Sequence, residues 1–286
     1  MSPAVLEQFV FSKVYFDHHN LIVAEDDKRV VGFAHAGFGP SDDRTGLHQD
    51  VGVVCMVMTA PVDSRQEIAV ELVKRAEKRL TDAGATAIYG GGTRRLDPFY
   101  LGLYGGSELP GILESDGATL NIYRSLGYQE IDRCIILQRE LAAFRPVVDR
   151  RQMMVRRSYN VESIMDPPGT SWWEACTIGQ TDQTVFELTP RAGGPSGGHA
   201  HFWELQPISH SWGVRASGLY HIEVPESTRR QGLATHLVGE ALRQLHVQGI
   251  SLVEVQLMQH QAAALDLFRK LGFQEVEQGV VFRKEM

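Results

Sequence analysis

The chain has 286 residues, of which 43% are hydrophobic and 22% are charged, the balance of a soluble globular protein. Its 28 basic and 35 acidic side chains give a formal net charge of −7, without the basic excess that binding to nucleic acid usually needs. Three scattered cysteines, no signal-peptide pattern and no apolar run approaching about 20 residues predict a cytoplasmic protein that makes no contact with a membrane.

Each half of the chain contains four predicted elements in the same order. A strand-like run is followed by an amphipathic helix, a short β-type run and a second helix that ends in a glycine–aromatic pair. In the first half these elements cover residues 51–58, about 68–83, 85–89 and, with the sequence LNIYRSLGYQE, 120–130. In the second half they cover residues 216–224, about 233–247, 250–255 and, with the sequence LDLFRKLGFQE, 265–275.

This internal repeat predicts two similar domains. The cores of the long helices also align, LVKRAEKRL at 72–80 with LVGEALRQL at 237–245. A repeat of this length is too long for a solenoid unit, and four matched elements in one order argue against chance similarity. We place the boundary after the predicted strand 134–138 and at Pro146, which gives domains 1–145 and 146–286.

The turn between the strand and the long helix of the second half is a candidate anion site. Pro225 ends the strand, and the helical spacing of apolar residues begins at Leu233. A helix N-terminus has backbone N–H groups without partners and a partial positive charge. Because Gly232 and Ala234 have little or no side chain, an anion can approach this backbone closely, and two arginines add positive charge. The turn suits a phosphate or pyrophosphate, the alternative being an ordinary helix cap.

The pattern of this turn, R-x-x-G-x-A from Arg229 to Ala234, resembles the acetyl-CoA loop of the GNAT N-acetyltransferase superfamily. Residues 261–273, QAAALDLFRKLGF, are similar to a later pattern of the same family, N-x-x-A-x-x-L-Y-x-x-x-G-F. The resemblance covers roughly residues 170–286 well. It implies an α/β fold of two GNAT-like domains, each with a mixed, twisted sheet flanked by helices.

The resemblance also implies a binding mode for acetyl-CoA in the second half. The strand through Ile222 and Val224 would separate from its neighbour and offer backbone groups to the pantetheine arm. Backbone amides from Arg230 to Thr235 would hold the pyrophosphate. The implied cofactor-binding residues are Ile222, Val224, Arg229, Arg230, Gln231, Gly232, Leu233, Ala234, Thr235, Gln261 and Phe268.

The two halves depart from the family pattern in different ways. In the second half Gln261 occupies the position of the family's usual asparagine. Phe268 occupies the position of the tyrosine that often protonates the departing thiolate. In the first half Tyr123 occupies the tyrosine position, but the aligned loop carries Glu67 where Gly232 sits, and a carboxylate there would repel pyrophosphate. The first half therefore resembles a degenerate GNAT domain. Tyr123 is either a catalytic proton donor or a packing residue.

Two side chains near the implied thioester are candidates for the base that deprotonates an amine. Strand alternation places His221 and Glu223 on one face, opposite Ile222 and Val224. Glu223 is the preferred candidate because it lies closer to the separated end of the strand, and water can relay the proton. The alternative is an ordinary polar strand face.

Two other segments carry residues of interest. His199, His201 and Glu204 in SGGHAHFWE have a partial likeness to a cupin metal motif, but the second motif is absent, so we expect no metal. The glycine- and aromatic-rich insertion 89–116 offers Tyr100, Tyr104 and Glu108 to line an acceptor cleft; the alternative is that the insertion is a self-packed surface loop.

We conclude that the sequence predicts an N-acetyltransferase that moves an acetyl group from acetyl-CoA to an amine of a small molecule or a protein. The alternative is a non-catalytic acyl-CoA-binding or sensor protein with the same fold. The expected partners are acetyl-CoA and an amine acceptor, without nucleic acid or membrane. An oligomer is compatible with the sequence.

Overall fold

The computed structural model describes residues 3–94, 96 and 98–286, in which α-helices and β-strands follow one another along the chain. The helices are α1 Pro3–Leu6, α2 Arg65–Asp82, α3 Gly117–Ser125, α4 Arg150–Ser158, α5 Trp172–Thr177, α6 Gln206–Trp212, α7 Leu233–Val247 and α8 Ala262–Lys270. The strands are β1 Leu21–Asp26, β2 Arg29–Pro40, β3 Leu47–Thr59, β4 Ala87–Gly90, β5 Ile112–Leu113, β6 Gln129–Glu140, β7 Tyr159–Met165, β8 Gln183–Pro190, β9 His199–Glu204, β10 Ala216–Glu223, β11 Leu252–Met258 and β12 Gln274–Glu285.

The predicted elements of the repeat are present. Helix α7 has the predicted bounds, and helix α2 begins three residues before the predicted start. The apolar stripe that predicted α7 is its buried face, with Leu237, Val238 and Leu242 fully buried. Strands β3 and β10 occupy the predicted strand segments.

The chain folds into two compact units, and neither is continuous in sequence. The first unit consists of Met1–Ile135, Gly169–Gln180 and Glu277–Met286, and the second of Ile136–Pro168 and Thr181–Val276. Strands β6 and β12 are therefore each divided between the units. The compact units divide the chain at positions other than 145/146. The boundary between the two repeats therefore remains a prediction from the sequence.

The first unit contains a mixed sheet with the strand order β1-β2-β3-β4-β12. Strand β3 is parallel to β4, and β12 is antiparallel to β4, with Phe282 opposite Gly90. Helix α2 packs on β2 and β3 through its apolar face. The last strand of the chain thus completes the sheet of the unit that begins the chain.

The second unit contains strands in the order β11-β10-β9-β8-β7. Strand β10 is parallel to β11, and the other neighbours are antiparallel. Helix α7 connects the two parallel strands and contacts β7, β8 and β9 on one face of the sheet. No helix in the described part of the chain is long and apolar enough to cross a membrane.

Candidate active site

Strands β10 and β11 separate at the point where the sequence analysis expects a cofactor arm. Their parallel pairing covers Ala216–Leu219 with Leu252–Val255 and does not extend further within the described residues. Beyond it, β10 stays paired with β9 on its other side up to Glu223. The edge of β10 around Ile222 therefore carries backbone groups that β11 does not use, and such groups can bond an amide-containing ligand.

The turn that follows β10 presents a row of free backbone donors. Gly232 is the N-cap of α7 and has φ +89°, and Arg230 also has a left-handed φ of +65°. Within the described residues, no backbone N–H from Gln231 to Thr235 donates a hydrogen bond. These donors lie at the positive end of a 15-residue helix, an arrangement that suits an anion.

The two arginines of this turn differ in their contacts. Arg229 donates from Nε to the carbonyl oxygen of Val224 at 3.0 Å and pairs with Glu226 at 3.2 Å. It thereby ties the turn to the end of β10. The side chain of Arg230 has no ion pair within the described residues and is exposed to solvent. Its charge is available to a ligand.

Helix α4 contacts this turn through two side-chain hydrogen bonds, which the sequence did not predict. Gln152 donates from Nε2 to the carbonyl oxygen of Gly232 at 3.1 Å, and Arg151 donates to the carbonyl oxygen of Arg230 at 3.4 Å. Asp149 caps α4 by accepting from the backbone N–H of Gln152 at 2.8 Å. Asp149 at the start of the basic run RRQMMVRR is the one sequence signal for α4, and it does not reveal what the helix touches.

The remaining predicted cofactor residues have mainly structural contacts. Leu233 and Thr235 are buried in the first turn of α7, and Ala234 is half-buried. The side-chain oxygen of Gln261 accepts from the backbone N–H of Met258 at 2.9 Å. Phe268 is fully buried, with its ring 5.1 Å from that of Phe273. Their roles toward acetyl-CoA remain predictions.

The corresponding turn of the first unit has a different register from the one expected. Ser64 is the N-cap of α2 with φ −81°, so Ser64, not Glu67, is the structural counterpart of Gly232. Glu67 is the third residue of α2, the position that Thr235 has in α7. The sequence alignment was wrong by three residues because it matched residue types and ignored the cap. A carboxylate still lies in the first helical turn, where it counteracts anion binding.

Tyr123 lies in the core of the first unit. Its side chain is fully buried, its ring stacks on Phe282 at 5.8 Å and meets Tyr128 at 4.9 Å, and burial raises its pKa. Its hydroxyl has no hydrogen-bond partner within the described residues. These surroundings correspond to the packing alternative, and a catalytic role for Tyr123 remains a prediction.

Four polar side chains come together on strands β9 and β10. His201 is directly opposite His221, and His199 is directly opposite Glu223. A bulge between Leu219 and His221 sets this register. Since the paired residues alternate with Ala200 and Ile222, all four side chains share one face of the sheet, as expected for His221 and Glu223.

The distances in this cluster are short. Oε2 of Glu223 is 3.6 Å from Nε2 of His199 and 3.7 Å from Nε2 of His221. The rings of His199 and His221 stack at 5.3 Å, and that of His201 lies 5.0 Å from His199. The carboxylate of Glu223 can accept a proton, and at these separations a proton can pass between it and the imidazoles through one water molecule.

Gly198 permits this close approach. A Cβ atom at Gly198, which has φ +142°, would lie 2.5 Å from the carbonyl oxygen of Glu223. The other carboxylate considered from the sequence, Glu204, is instead bonded to Arg215 at 3.0 Å. The likeness of His199, His201 and Glu204 to a metal motif does not extend to their packing, because strand pairing brings Glu223 to the histidines and Arg215 bonds Glu204.

A cleft of about 460 Å³ borders the first turns of α7. Helix α4, strand β7 and α7 line it, and its basic residues include Arg156, Arg191 and Arg243. Arg243 pairs with Glu240 at 2.6 Å, whereas Arg156 and Arg191 have no ion pair among the described residues. Burial lowers the pKa of His236 on the same helix, while the charge of Glu240 opposes this shift. Glu162 and Glu240 also line the cleft, so its charge is mixed.

The three cleft candidates of the 89–116 insertion, Tyr100, Tyr104 and Glu108, have partners within the first unit. Tyr100 is buried with its hydroxyl 3.1 Å from Nδ1 of His35, and Glu108 pairs with Arg94 at 3.0 Å. The hydroxyl of Tyr104 accepts from the backbone N–H of Leu113 at 3.0 Å, and burial raises its pKa to about 12. Arg94 and Leu113 belong to the insertion, whereas His35 lies on β2, and a role of the three residues in an acceptor cleft remains a prediction. The part of the insertion at residues 95 and 97 lies outside the described residues.

Two family models match the chain. Residues 197–284 match a model described as an acetyltransferase (GNAT) domain, and residues 3–100 match the acetyltransferase (GNAT) family. The two matches together cover about two thirds of the chain, and the first contains the turn at Gly232 and the cluster at Glu223. No curated protein sequence matches the chain.

Solved structures with the same fold include tandem proteins. A tandem GNAT protein from the clavulanic acid biosynthesis pathway is 14% identical with a TM-score of 0.63, covering 92% of this chain and 81% of that one. A GCN5-related N-acetyltransferase from Sphaerobacter thermophilus is 16% identical with a TM-score of 0.54, covering 91% and 78%.

A third similar structure belongs to a longer protein. It is the GCN5-related glucosamine N-acetyltransferase region of a fungal multi-domain GH3 β-N-acetylglucosaminidase, with 14% identity, a TM-score of 0.67 and coverage of 98% of this chain and 36% of that one. This chain therefore spans about a third of that protein. The predicted fold class, two GNAT-like domains that each contain a mixed, twisted sheet with helices, is confirmed.

Proposed function

Because the chain belongs to the GNAT acetyltransferase superfamily as a tandem of two such domains, we propose that it transfers an acetyl group from acetyl-CoA to an amine. One observation carries the proposal: the free N–H groups from Gln231 to Thr235 lie directly after the strand that separates from β11. A pyrophosphate on these N–H groups leaves the pantetheine arm room to follow the edge of β10. The thioester then lies near the end of the separated strands.

The second unit holds the cofactor in this proposal. Backbone groups of Ile222 and Val224 bond the pantetheine, and the turn from Arg229 to Thr235 binds the pyrophosphate. The first unit lacks a left-handed cap at Ser64 and has Glu67 in the first turn of α2. We therefore expect one acetyl-CoA per chain. The scattered cysteines favour the cytoplasm as the site of the reaction.

Glu223 accepts the proton of the incoming ammonium in this scheme, directly or through a water molecule. Its carboxylate is exposed at the end of β10, and the imidazoles of His199 and His221 lie within 4 Å of it. A neutral amine then attacks the thioester carbonyl carbon and forms the amide bond, and the coenzyme leaves as a thiolate. Because Phe268 has no proton to give, water carries to the thiolate the second proton that the nitrogen releases as the amide forms.

The proposal is tested by measuring thiol release and CoA affinity together. Acetyl-CoA is offered with a panel of amines that contains glucosamine, a polyamine, free amino acids and a lysine peptide. Calorimetry should give one CoA site per chain, and at least one amine should accelerate thiol release. Two sites per chain would contradict the assignment to the second unit.

Binding without turnover across the panel would favour the second candidate, an acyl-CoA-binding or sensor protein. The observation that favours this candidate is Phe268, which is fully buried and has no hydroxyl group at the family's proton-donor position. A Phe268→Tyr variant distinguishes the two. If the scaffold is catalytic, restoring a donor should leave turnover equal or higher, provided that CoA still binds.

A further inference from the structure

We propose that His199, His221 and Glu223 form a binding site for a divalent transition-metal ion of the zinc class. The three side chains lie on adjacent antiparallel strands and share one face, and one ligand atom from each lies within 4.8 Å of the others. The proposal does not depend on acyl transfer, since it concerns only the arrangement of these side chains in the second unit.

Two of the three ligand distances are close to those around a tetrahedral ion, and the two imidazole nitrogens lie within 4.8 Å of each other. Zinc binds imidazole nitrogen and carboxylate oxygen at about 2.0–2.2 Å, which places neighbouring ligand atoms about 3.3 Å apart. The two distances from Oε2 of Glu223, 3.6 Å and 3.7 Å, exceed this value by a few tenths of an ångström. We expect small side-chain rotations to remove the difference, since the three side chains are 34–57% exposed.

The ligand set selects the class of metal. Two imidazoles and one carboxylate are a ligand set of catalytic zinc sites, in which a fourth position stays open to water. Imidazole nitrogen favours zinc, copper and nickel, whereas magnesium and calcium prefer oxygen ligands. Two neutral imidazoles and one negative charge leave a bound divalent ion only partly neutralised, so an open position can also take an anion or a lone pair.

Neighbouring residues hold the ligands in place. Nδ1 of His201 lies 3.4 Å from the hydroxyl of Tyr220, which donates to Gln183 at 2.9 Å. The imidazole of His201 is thereby held against His199 and His221, with ring centroids at 5.0 Å and 5.3 Å. Gly198 brings the start of β9 close to the backbone of Glu223. The ligands are thus positioned by strand pairing and not by a flexible loop.

A second group of possible ligands provides the internal control. Asp17, His18 and His19 are consecutive, and the histidine side chains are 78% and 63% exposed. Asp17 already accepts hydrogen bonds from the backbone N–H and Nδ1 of His19. Consecutive residues on a short turn cannot surround an ion as residues on two strands can, and we expect weaker binding there.

A metal ion would compete with the proposed chemistry. Glu223 cannot accept a proton while it coordinates a divalent ion, so bound zinc should inhibit turnover. This consequence rests on the proposed function. Metal binding can be measured without acetyl-CoA or an acceptor. A failure of the metal proposal is therefore distinguishable from a failure of the proposed acetyl transfer.

The experiment uses the full chain without an affinity tag, after removal of metals by a chelator. Zn²⁺ is titrated by calorimetry, Mg²⁺ serves as the hard-cation control, and Co²⁺ reports tetrahedral coordination by its visible absorption. We expect one Zn²⁺ site in the second unit. His199→Ala and His221→Ala should each lower its affinity for Zn²⁺ at least about ten-fold, since even residues that only support metal ligands typically contribute this much. Zn²⁺ should raise the Tm of the wild-type protein, and this effect should be absent in the two variants.

The double variant His18→Asn/His19→Asn should keep the high-affinity site. The proposal is overturned if Zn²⁺ does not bind, if affinity is unchanged in His199→Ala and His221→Ala, or if the His18/His19 variant loses the site instead. Circular dichroism verifies that each variant is folded. If one alanine variant fails to fold, Glu223→Gln, at an exposed position, tests the same prediction.

Discussion

The side-chain amide of Gln152 donates a hydrogen bond to the carbonyl oxygen of Gly232 at 3.1 Å, although the two residues are 80 positions apart in the sequence. The bond joins α4 to the cap of α7. It fixes the peptide group between Gly232 and Leu233, which lies within the row of free N–H groups. We conclude that Gln152 is a positioning residue for the proposed pyrophosphate site.

Gln152→Ala should therefore weaken CoA binding. The loss of one hydrogen bond of about 1 kcal/mol corresponds to roughly a five-fold higher Kd. Calorimetry with CoA measures the effect, and Met154→Ala on the exposed face of the same helix is the matched control. An unchanged Kd in Gln152→Ala would mean that the turn keeps its conformation without α4.

Gly232→Ala should reduce CoA affinity more strongly. The residue has φ +89°, and an added Cβ would lie 2.8 Å from Cδ of Arg151 and from Nε2 of Gln152. The left-handed conformation alone costs roughly 1–2 kcal/mol for a residue with a Cβ, so the turn should move. CoA titration and thermal unfolding are measured together.

Gly239 in the same helix provides the control for this substitution. A Cβ there would make ordinary contacts of 3.9 Å with Leu271 and 4.0 Å with Pro146. Gly239→Ala should therefore leave CoA affinity unchanged and raise stability by roughly 0.5–1 kcal/mol, the helical preference for alanine. Equal effects of the two substitutions would refute the special role of Gly232.

Glu223→Gln should slow acetyl transfer while CoA affinity stays nearly constant. The amide keeps the shape of the side chain and removes its basicity, and loss of a general base typically costs about 10²–10⁴ in rate. Steady-state kinetics with the best amine of the panel measures kcat/KM, and His221→Asn is compared on the same strand face. Full activity in Glu223→Gln would leave proton transfer to solvent as the explanation.

His35 should make the stability of the first unit depend on pH. Burial lowers the pKa of its imidazole from about 6.5 to about 4, so the unfolded chain takes up a proton first as the pH falls. Stability is therefore lost between about pH 6.5 and pH 4, and His35 contributes roughly 2 kcal/mol of the loss between pH 7 and pH 5.

Denaturant unfolding at the two pH values measures this contribution. His35→Gln keeps a polar group for Tyr100 and should show a smaller loss between pH 7 and pH 5 than the wild-type protein. His18→Gln, at an exposed position, is the control. An equal pH dependence in the wild-type protein and His35→Gln would show that the imidazole of His35 is not the titrating group.

The sequence predicted the elements whose causes are local. The apolar spacing from Leu233 onward defined α7, and Pro225 marked the end of β10. The anion site inferred from the small residues at 232 and 234 remains a prediction. The common face of His221 and Glu223 followed from strand alternation. The family resemblance of the second half also depended on short motifs, and the family models confirm it.

Contacts between distant segments were decided only by the tertiary structure. The bulge between Leu219 and His221 sets which residues of β9 face β10, and it has no clear sequence signal. Only the tertiary structure shows that Glu223 lies close to His199 and that Glu204 is bonded to Arg215. It also shows the hydrogen bond from Gln152 to Gly232. The same holds for β12, which pairs with β4 almost 200 residues earlier. Local patterns fix the conformation of a segment, whereas its partners depend on register and packing that no single segment encodes.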